Sequence, residues 1–177
     1  MGWSDMAGSL ILIEEVTASS SGFVLLNPLD STYNVYKVIF ENVVPATNNV
    51  KLQARFQNAS GDVTSSNYNF ASWVLKTASA FDNDAGQNTS AFDLTDQELG
   101  TATGEVGNGV MYLFNTSNSG EYSFYTIEAT CMDDNGNLFG NQGAGVLEVD
   151  ESHTAIKFYM ASGNIASGRF SLYALKK

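Results

Sequence analysis

The chain has very little of what most active sites are made from. It contains one cysteine and one histidine in 177 residues, two prolines, and only 8 lysines and arginines against 19 aspartates and glutamates. A lone Cys131 excludes an intrachain disulfide, and its place inside the apolar run from Tyr122 to Met132 reads as a buried, inert thiol. The lack of disulfides suits a protein made in a reducing cytoplasm. One histidine and one cysteine leave too few ligands for the usual zinc sites. The formal net charge of −11 argues against nucleic acid and against anionic membrane surfaces, both of which require clustered basic residues. Charged residues of both signs make up only 15% of the chain, below the usual quarter, so solubility rests on Ser, Thr, Asn and Gln. No apolar run approaches the length of a transmembrane helix. The opening MGWSDMAGSLILIEE has no basic region before its short apolar run, so no signal peptide is expected.

What is present is a globular composition, 44% hydrophobic and 12% aromatic, with 16 glycines as turn material. The hydrophobic pattern is that of strands. Ile156, Phe158 and Met160 share one parity, as do Phe170, Leu172 and Ala174, and Val50, Leu52, Ala54 and Phe56 oppose Lys51, Gln53 and Arg55. Such alternation marks strands buried on one face. Tyr33 to Val43 carries apolar groups on both parities, which predicts a central strand covered from both sides. Further strands are expected at Leu10 to Val16, Phe23 to Leu26, Phe70 to Lys76, Glu105 to Phe114, and in a hairpin of Tyr122 to Met132 with Leu138 to Val149. The Asp133-Asp134-Asn135-Gly136-Asn137 run supplies that hairpin's turn. Thr17 to Gly22 reads as a turn, and Ala80 to Thr103 as a long polar loop with a short helix near Thr95 to Leu99. The whole is an all-β single domain over residues 10–177, an antiparallel β-sandwich and most naturally a jelly roll, preceded by an N-terminal arm over residues 1–9. In that arm Trp3 and Met6 either fold back on the domain or dock on a partner.

Candidates for chemistry are weak. His153 lies in the polar turn Asp150-Glu151-Ser152-His153 and reads as a solvated loop residue rather than the hinge of a Ser/His/acid set. Asp82-Asn83-Asp84 resembles the start of a calcium loop but lacks the Gly-x5-Glu continuation, and the Asp133 to Asn137 run is explained by its turn. Nothing marks a carboxylate pair for glycoside hydrolysis. Gly104 to Gly109 lacks the helix and lysine of a phosphate loop. No catalytic, metal or cofactor site is expected. The residues left as interface candidates are Trp3, Met6, Asp82, Asp84, Asp93, Asp96 and Glu98. Tyr68, Trp73, Tyr112, Tyr122, Tyr125, Tyr159 and Tyr173 divide between core filling and a surface that stacks on a sugar or a protein.

Three stretches carry a family likeness: SLILIEEVTASSS, LDSTYNVYKVIFENVVPATNNVKLQARF and IKFYMASGNIASGRFSLYAL. They resemble small virion proteins of marine bacteriophages. Ser31, Thr32, Tyr33, Tyr36, Phe40, Asn42 and Pro45 match that family's second motif. Ser162, Gly163, Ile165, Ser167, Gly168, Leu172 and Tyr173 match its closing motif, while Ala174-Leu175-Lys176-Lys177 replaces its Gly-Ile ending. The likeness covers both ends and little of the middle. It implies a non-enzymatic particle component on head or tail, more readily a capsid decoration or cement subunit because no shaft or coiled-coil segment is present. Its partners would be the major capsid protein or tail proteins, and other copies of itself, with a homotrimer as the expected arrangement. A tail-surface module recognising host glycans is the alternative.

Overall fold

A computed structural model describes residues 9–95 and 98–176. Within them the chain is all β: β1 (Leu10–Ser21), β2 (Val24–Leu26), β3 (Val35–Pro45), β4 (Leu52–Asn58), β5 (Gly61–Asp62), β6 (Tyr68–Lys76), β7 (Ala80–Thr89), β8 (Phe92–Asp93), β9 (Gly107–Phe114), β10 (Ser123–Met132), β11 (Leu138–Leu147), β12 (Ala155–Met160) and β13 (Ile165–Leu175). They form two antiparallel sheets packed as a sandwich. The large sheet has 8 strands in the order β1-β13-β3-β9-β10-β11-β6-β7, and the small one runs β2-β12-β4-β5, with β8 paired to β4.

The strand expectations hold wherever the pattern alternates cleanly. In β12, Ile156, Phe158 and Met160 point inward against Leu52, Ala54 and Phe56 of β4. Although sequential, β12 and β13 lie in different sheets, so the Ala161–Asn164 turn arches across the sandwich. β13 is not an edge: it sits between β1 and β3. One core cluster runs from Ala18 to Ala174. Its densest part is aromatic, with Phe92 edge-on to Tyr68 at 4.7 Å, to Tyr125 at 4.5 Å and to Phe56 at 6.1 Å. Tyr68 spends its polar end inside: its hydroxyl donates to the Val63 carbonyl at 2.8 Å and accepts from the Phe56 amide at 3.2 Å.

Several expectations are corrected. The Thr17 to Gly22 turn is strand almost to its end, because β1 continues to Ser21 and pairs through Thr17–Arg169, Ala18–Gly168 and Ser19–Ser167. Its serines and threonine face solvent on one side, where polar residues cost a strand nothing. The polar loop expected at Ala80 to Thr103 begins instead with a ten-residue strand, β7, paired with β6. No alternation advertised it, since an edge strand exposed on both sides has no apolar face to bury. No helix occurs among the described residues. Asp96 and Gln97 of the expected short helix lie outside them, and Leu99 instead bridges Val50 and Asp133. β3 is central in its sheet, yet only Tyr36, Val38, Phe40, Val43 and Pro45 are buried, and Val35 and Ile39 are partly exposed on a face that no described residue covers. Its inward parity switches between Phe40 and Val43 at a bulge. There Asn42 adopts φ 51° and its amide donates to Asn108 Oδ1 at 2.8 Å.

Candidate functional site: the outer face of the large sheet

The two outer faces of the sandwich differ in kind. On the small sheet, β4, β12 and the residue before β4 present Lys51, Gln53, Arg55, Gln57, Lys157 and Tyr159. The charged and amide groups among them are paired with neighbouring acids and carbonyls, while the Tyr159 hydroxyl has no hydrogen-bond partner among the described residues. Lys157 Nζ meets Asp62 at 2.6 Å and lies 4.7 Å from the Phe23 ring centre. Arg55 stands 5.1 Å over Tyr159 and donates to the Ser90 carbonyl at 2.7 Å. Lys51 joins Asp93 at 3.1 Å and Asp84 at 3.4 Å. Burial would lower the Lys51 pKa, but the two carboxylates outweigh it and hold the ammonium above its ordinary value.

The large sheet's outer face is apolar. Cross-strand register arranges it in rows. Val35 faces Phe114, Phe114 faces Phe124, and Phe124 faces Val146. In the next row Lys37, Tyr112, Thr126, Ala144, Ala71 and Ala85 follow one another from β3 to β7. Beyond it lie Ile39, Val110, Glu128, Gln142 and Trp73. In β9 the sequence phase of Val110, Tyr112 and Phe114 is real but points outward, while Met111 and Leu113 fill the core.

Small residues hollow this face. A groove of about 720 Å³ runs over Ala71, Ala85, Ala144 and Gly145, walled by Phe114, Phe124 and Val146 and rimmed by Asn69, Gln87 and Glu148. A smaller hollow of about 450 Å³ lies between Tyr112 and Gln142. At the β6–β7–β11 corner Trp73 is 69% and Phe81 66% exposed, their rings edge to face at 6.4 Å, with Leu75 and Leu138 exposed beside them. Of these, sequence reasoning weighed only Trp73 and Tyr112. Phe81, Phe124 and the small-residue floor were missed, because outward and inward aromatics look alike until register assigns each parity a face.

The expected interface acids do not form one surface. Asp82 pairs with Lys76 at 2.9 Å on the β6–β7 edge. Asp84 and Asp93 converge on Lys51 at the sandwich rim. Trp3, Met6 and Asp96 lie outside the described residues, and Glu98 is half-buried next to the Leu99 bridge. Among the described residues no group of acids, histidine and cysteine could hold a metal ion. Asp133 serves its turn: its carboxylate accepts from the amides of Asn135 and Asn137 at 2.9 and 2.7 Å and from the Asn137 side chain at 3.0 Å. Those donors outweigh its burial and keep its pKa below the ordinary range.

His153 contradicts expectation outright. It is fully buried, stacked on Phe56 at 4.8 Å, with Nδ1 2.8 Å from Ser123 Oγ and Nε2 3.4 Å from Glu151 Oε1. Its backbone amide donates to the Thr116 carbonyl at 2.7 Å, drawing the segment before β12 onto the β9–β10 turn. The flanking polar residues hid a side chain that turns inward. Ser123, His153 and Glu151 are the residue types of a nucleophile, base and acid. However, Ser123 and His153 are both sealed from solvent, so no substrate can reach the hydroxyl in this structure. The Nε2–Glu151 approach is close for charge but misaligned as a hydrogen bond, leaving Nε2 without a donor or acceptor partner. The trio reads as a structural staple. No protein-family model, curated protein or solved structure matches the chain.

Proposed function

We propose that this chain is a non-enzymatic structural subunit of a bacteriophage particle, a jelly-roll module that decorates or cements the capsid surface by docking on the major capsid protein. The observation carrying this reading is the exposed corner of Trp73, Leu75, Phe81 and Leu138. Large aromatic and aliphatic side chains clustered in the open mark a docking surface rather than a stable solvent boundary. The strand order supports the module: β1-β13-β3-β9 in one sheet faces β2-β12-β4-β8 in the other, the arrangement of two Greek keys wound into a jelly roll. β5 to β7 and β10 and β11 are then insertions that widen one sheet and create the apolar face. The residues of the virion-protein likeness also fit a scaffold role. Tyr36 anchors Asp30 through its hydroxyl, Phe40 and Leu172 fill the core, Gly163 takes φ 74° at the last arch, and Gly168 takes φ 149° at a register shift within β13.

Mass spectrometry of purified particles tests the reading. A copy number matching the capsid lattice supports it, one matching the symmetry of the tail moves the protein there, and absence from particles overturns it. The glycan reading draws on one observation of its own: Trp73 lies directly across from Gln142, whose amide donates to Glu128 at 3.3 Å, with Tyr112 nearby. An aromatic plane beside an amide–carboxylate pair is the chemistry that holds a sugar ring. A glycan array with no signal removes that reading.

A further inference from the structure

Among the described residues, the exposed large apolar side chains lie almost entirely on the outer face of the large sheet, with Phe23 and Tyr122 as the exceptions. That face is bulky on one flank and hollow on the other. At one level of the register, β1, β13 and β3 carry Leu12, Tyr173 and Lys37. β9 carries Tyr112 in the middle, and β10, β11 and β6 carry Thr126, Ala144 and Ala71. The strand order thus sets Leu12 and Tyr173 as far to one side of β9 as the Ala71 and Ala144 floor of the groove lies to the other.

A two-fold axis along β9, in the plane of the face, exchanges the two flanks. It lays β13 of one copy over β11 of the other, with Tyr173 over Ala144 and Leu12 over Ala71, and does so twice. Tyr112 meets its own mate at the axis, and one level away Val35 meets Phe124. Sheets stacked in this way keep their strands roughly aligned, as in the sandwich itself. With strands about 4.8 Å apart and about 3.4 Å per residue, three levels of the sheet from β1 to β6 cover about 700 Å² on each copy. Both copies together bury about 1,400 Å², the size of a stable protein interface.

Charge agrees with this occupant. The chain's formal net charge is −11, yet across those three levels the charged side chains are only Lys37, Glu15 and Glu128. Lys37 lies 5.6 Å from the Tyr112 ring centre and has no carboxylate partner among the described residues. The axis carries it over Thr126 of the other copy, next to Glu128 on the same side of β10. Within one chain Lys37 and Glu128 stand two strands and one level apart, about 12 Å, too far to pair.

We propose that the outer face of the large sheet is a docking surface for the same face of a second copy of this chain. The bulky flank of each copy fills the groove of the other, and two Lys37–Glu128 pairs fix the register. A patch that packs on itself closes with two copies, so a pair forms in place of the trimer that the virion-protein likeness implies. β7 extends past the edge of the second copy, which leaves the Trp73–Phe81 corner at the rim, open to other proteins. This contact needs no particle to form.

Sedimentation equilibrium of the full chain tests it. The expected result is a reversible dimer. Ala144→Arg, which fills the groove, should raise the dimer dissociation constant at least tenfold while the circular dichroism is unchanged. Lys37→Glu and Glu128→Lys, both on the surface, should each weaken the dimer several-fold, and the two together should restore it. That reciprocal rescue reads the contact between copies and serves if Ala144→Arg does not fold. A chain that stays monomeric at its highest soluble concentration overturns the proposal, and so does a trimer or an open-ended assembly. A dimer that ignores Ala144→Arg, or that the charge exchange fails to restore, overturns it as well.

Discussion

Ser123 Oγ and His153 Nδ1 share a 2.8 Å hydrogen bond at the bottom of the sandwich, with no solvent access to either residue. Burial pushes the imidazole pKa below its ordinary 6.5, and the Glu151 carboxylate only partly restores it. The folded state therefore resists a proton that the unfolded chain accepts. Stability from this group is complete above pH 6.5, declines as pH drops below that value, and keeps declining until the pH reaches the depressed folded value. Glu151 is the one charged group facing the ring, and it opposes the trend without reversing it. Thermal melts should show a falling midpoint between pH 7 and pH 5. Replacing both partners with apolar groups, Ser123→Ala with His153→Phe, should flatten that slope at little cost near neutrality. An unchanged slope in the double variant would mean that other groups carry the acid sensitivity.

Cys131 offers a direct probe of global opening. Its thiol is buried on β10 and its pKa is pushed up to about 12 by that burial. The reacting species is the thiolate, so an aromatic disulfide reagent at pH 8 should leave the native protein unlabelled and modify it stoichiometrically in denaturant. Residual native labelling should follow the unfolding rate, and destabilising variants should raise it. Fast labelling of the native protein would contradict the packing around Gly107 and Leu99.

Gly109 lies opposite Phe40 in the β3–β9 pairing because the ring occupies the space a side chain would need. A Cβ there would come within 2.3 Å of the Phe40 ring and 2.9 Å of the Glu128 carbonyl. Gly109→Ala should therefore cost about 1–3 kcal/mol by overpacking, although alanine is the better strand residue. Phe40→Leu in the same chain should return part of that loss. Denaturant midpoints of the two single variants and the double measure the coupling.

The sequence made legible whatever the core face dictates. Ile156, Phe158 and Met160 must point inward together, and the Asp133 to Asn137 turn has one good hairpin solution, so both are found where the pattern placed them. What depends on register between distant strands stayed hidden. Phe114 and Phe124 become a groove wall only because β9 and β10 pair in the particular frame that aligns them on the solvent side. β7 escaped notice since Asp82, Asn83 and Asp84 fit a loop equally well, and only pairing with β6 makes them a strand. His153 was misplaced because its neighbours are polar, whereas its own ring lies over Phe56. Local composition speaks for a segment's average, not for the one side chain that turns away from it.

The Trp73–Phe81 corner separates a docking surface from a structural one. Both rings are more than half exposed and neither belongs to the core cluster, so trimming them should leave folding almost untouched, within about 0.5 kcal/mol. The double change Trp73→Ser and Phe81→Ser should therefore melt like the parent protein. Its attachment to particles depleted of the protein should fall steeply, as expected when aromatic anchors at the centre of an interface are removed. A matched change on the opposite face, Phe23→Ser, removes an exposed ring beside Lys157 and should leave attachment intact. Sedimentation of labelled protein with particles measures both. Equal retention of the parent and the double variant would remove the corner from the interface, and loss with Phe23→Ser would move the contact to the small sheet.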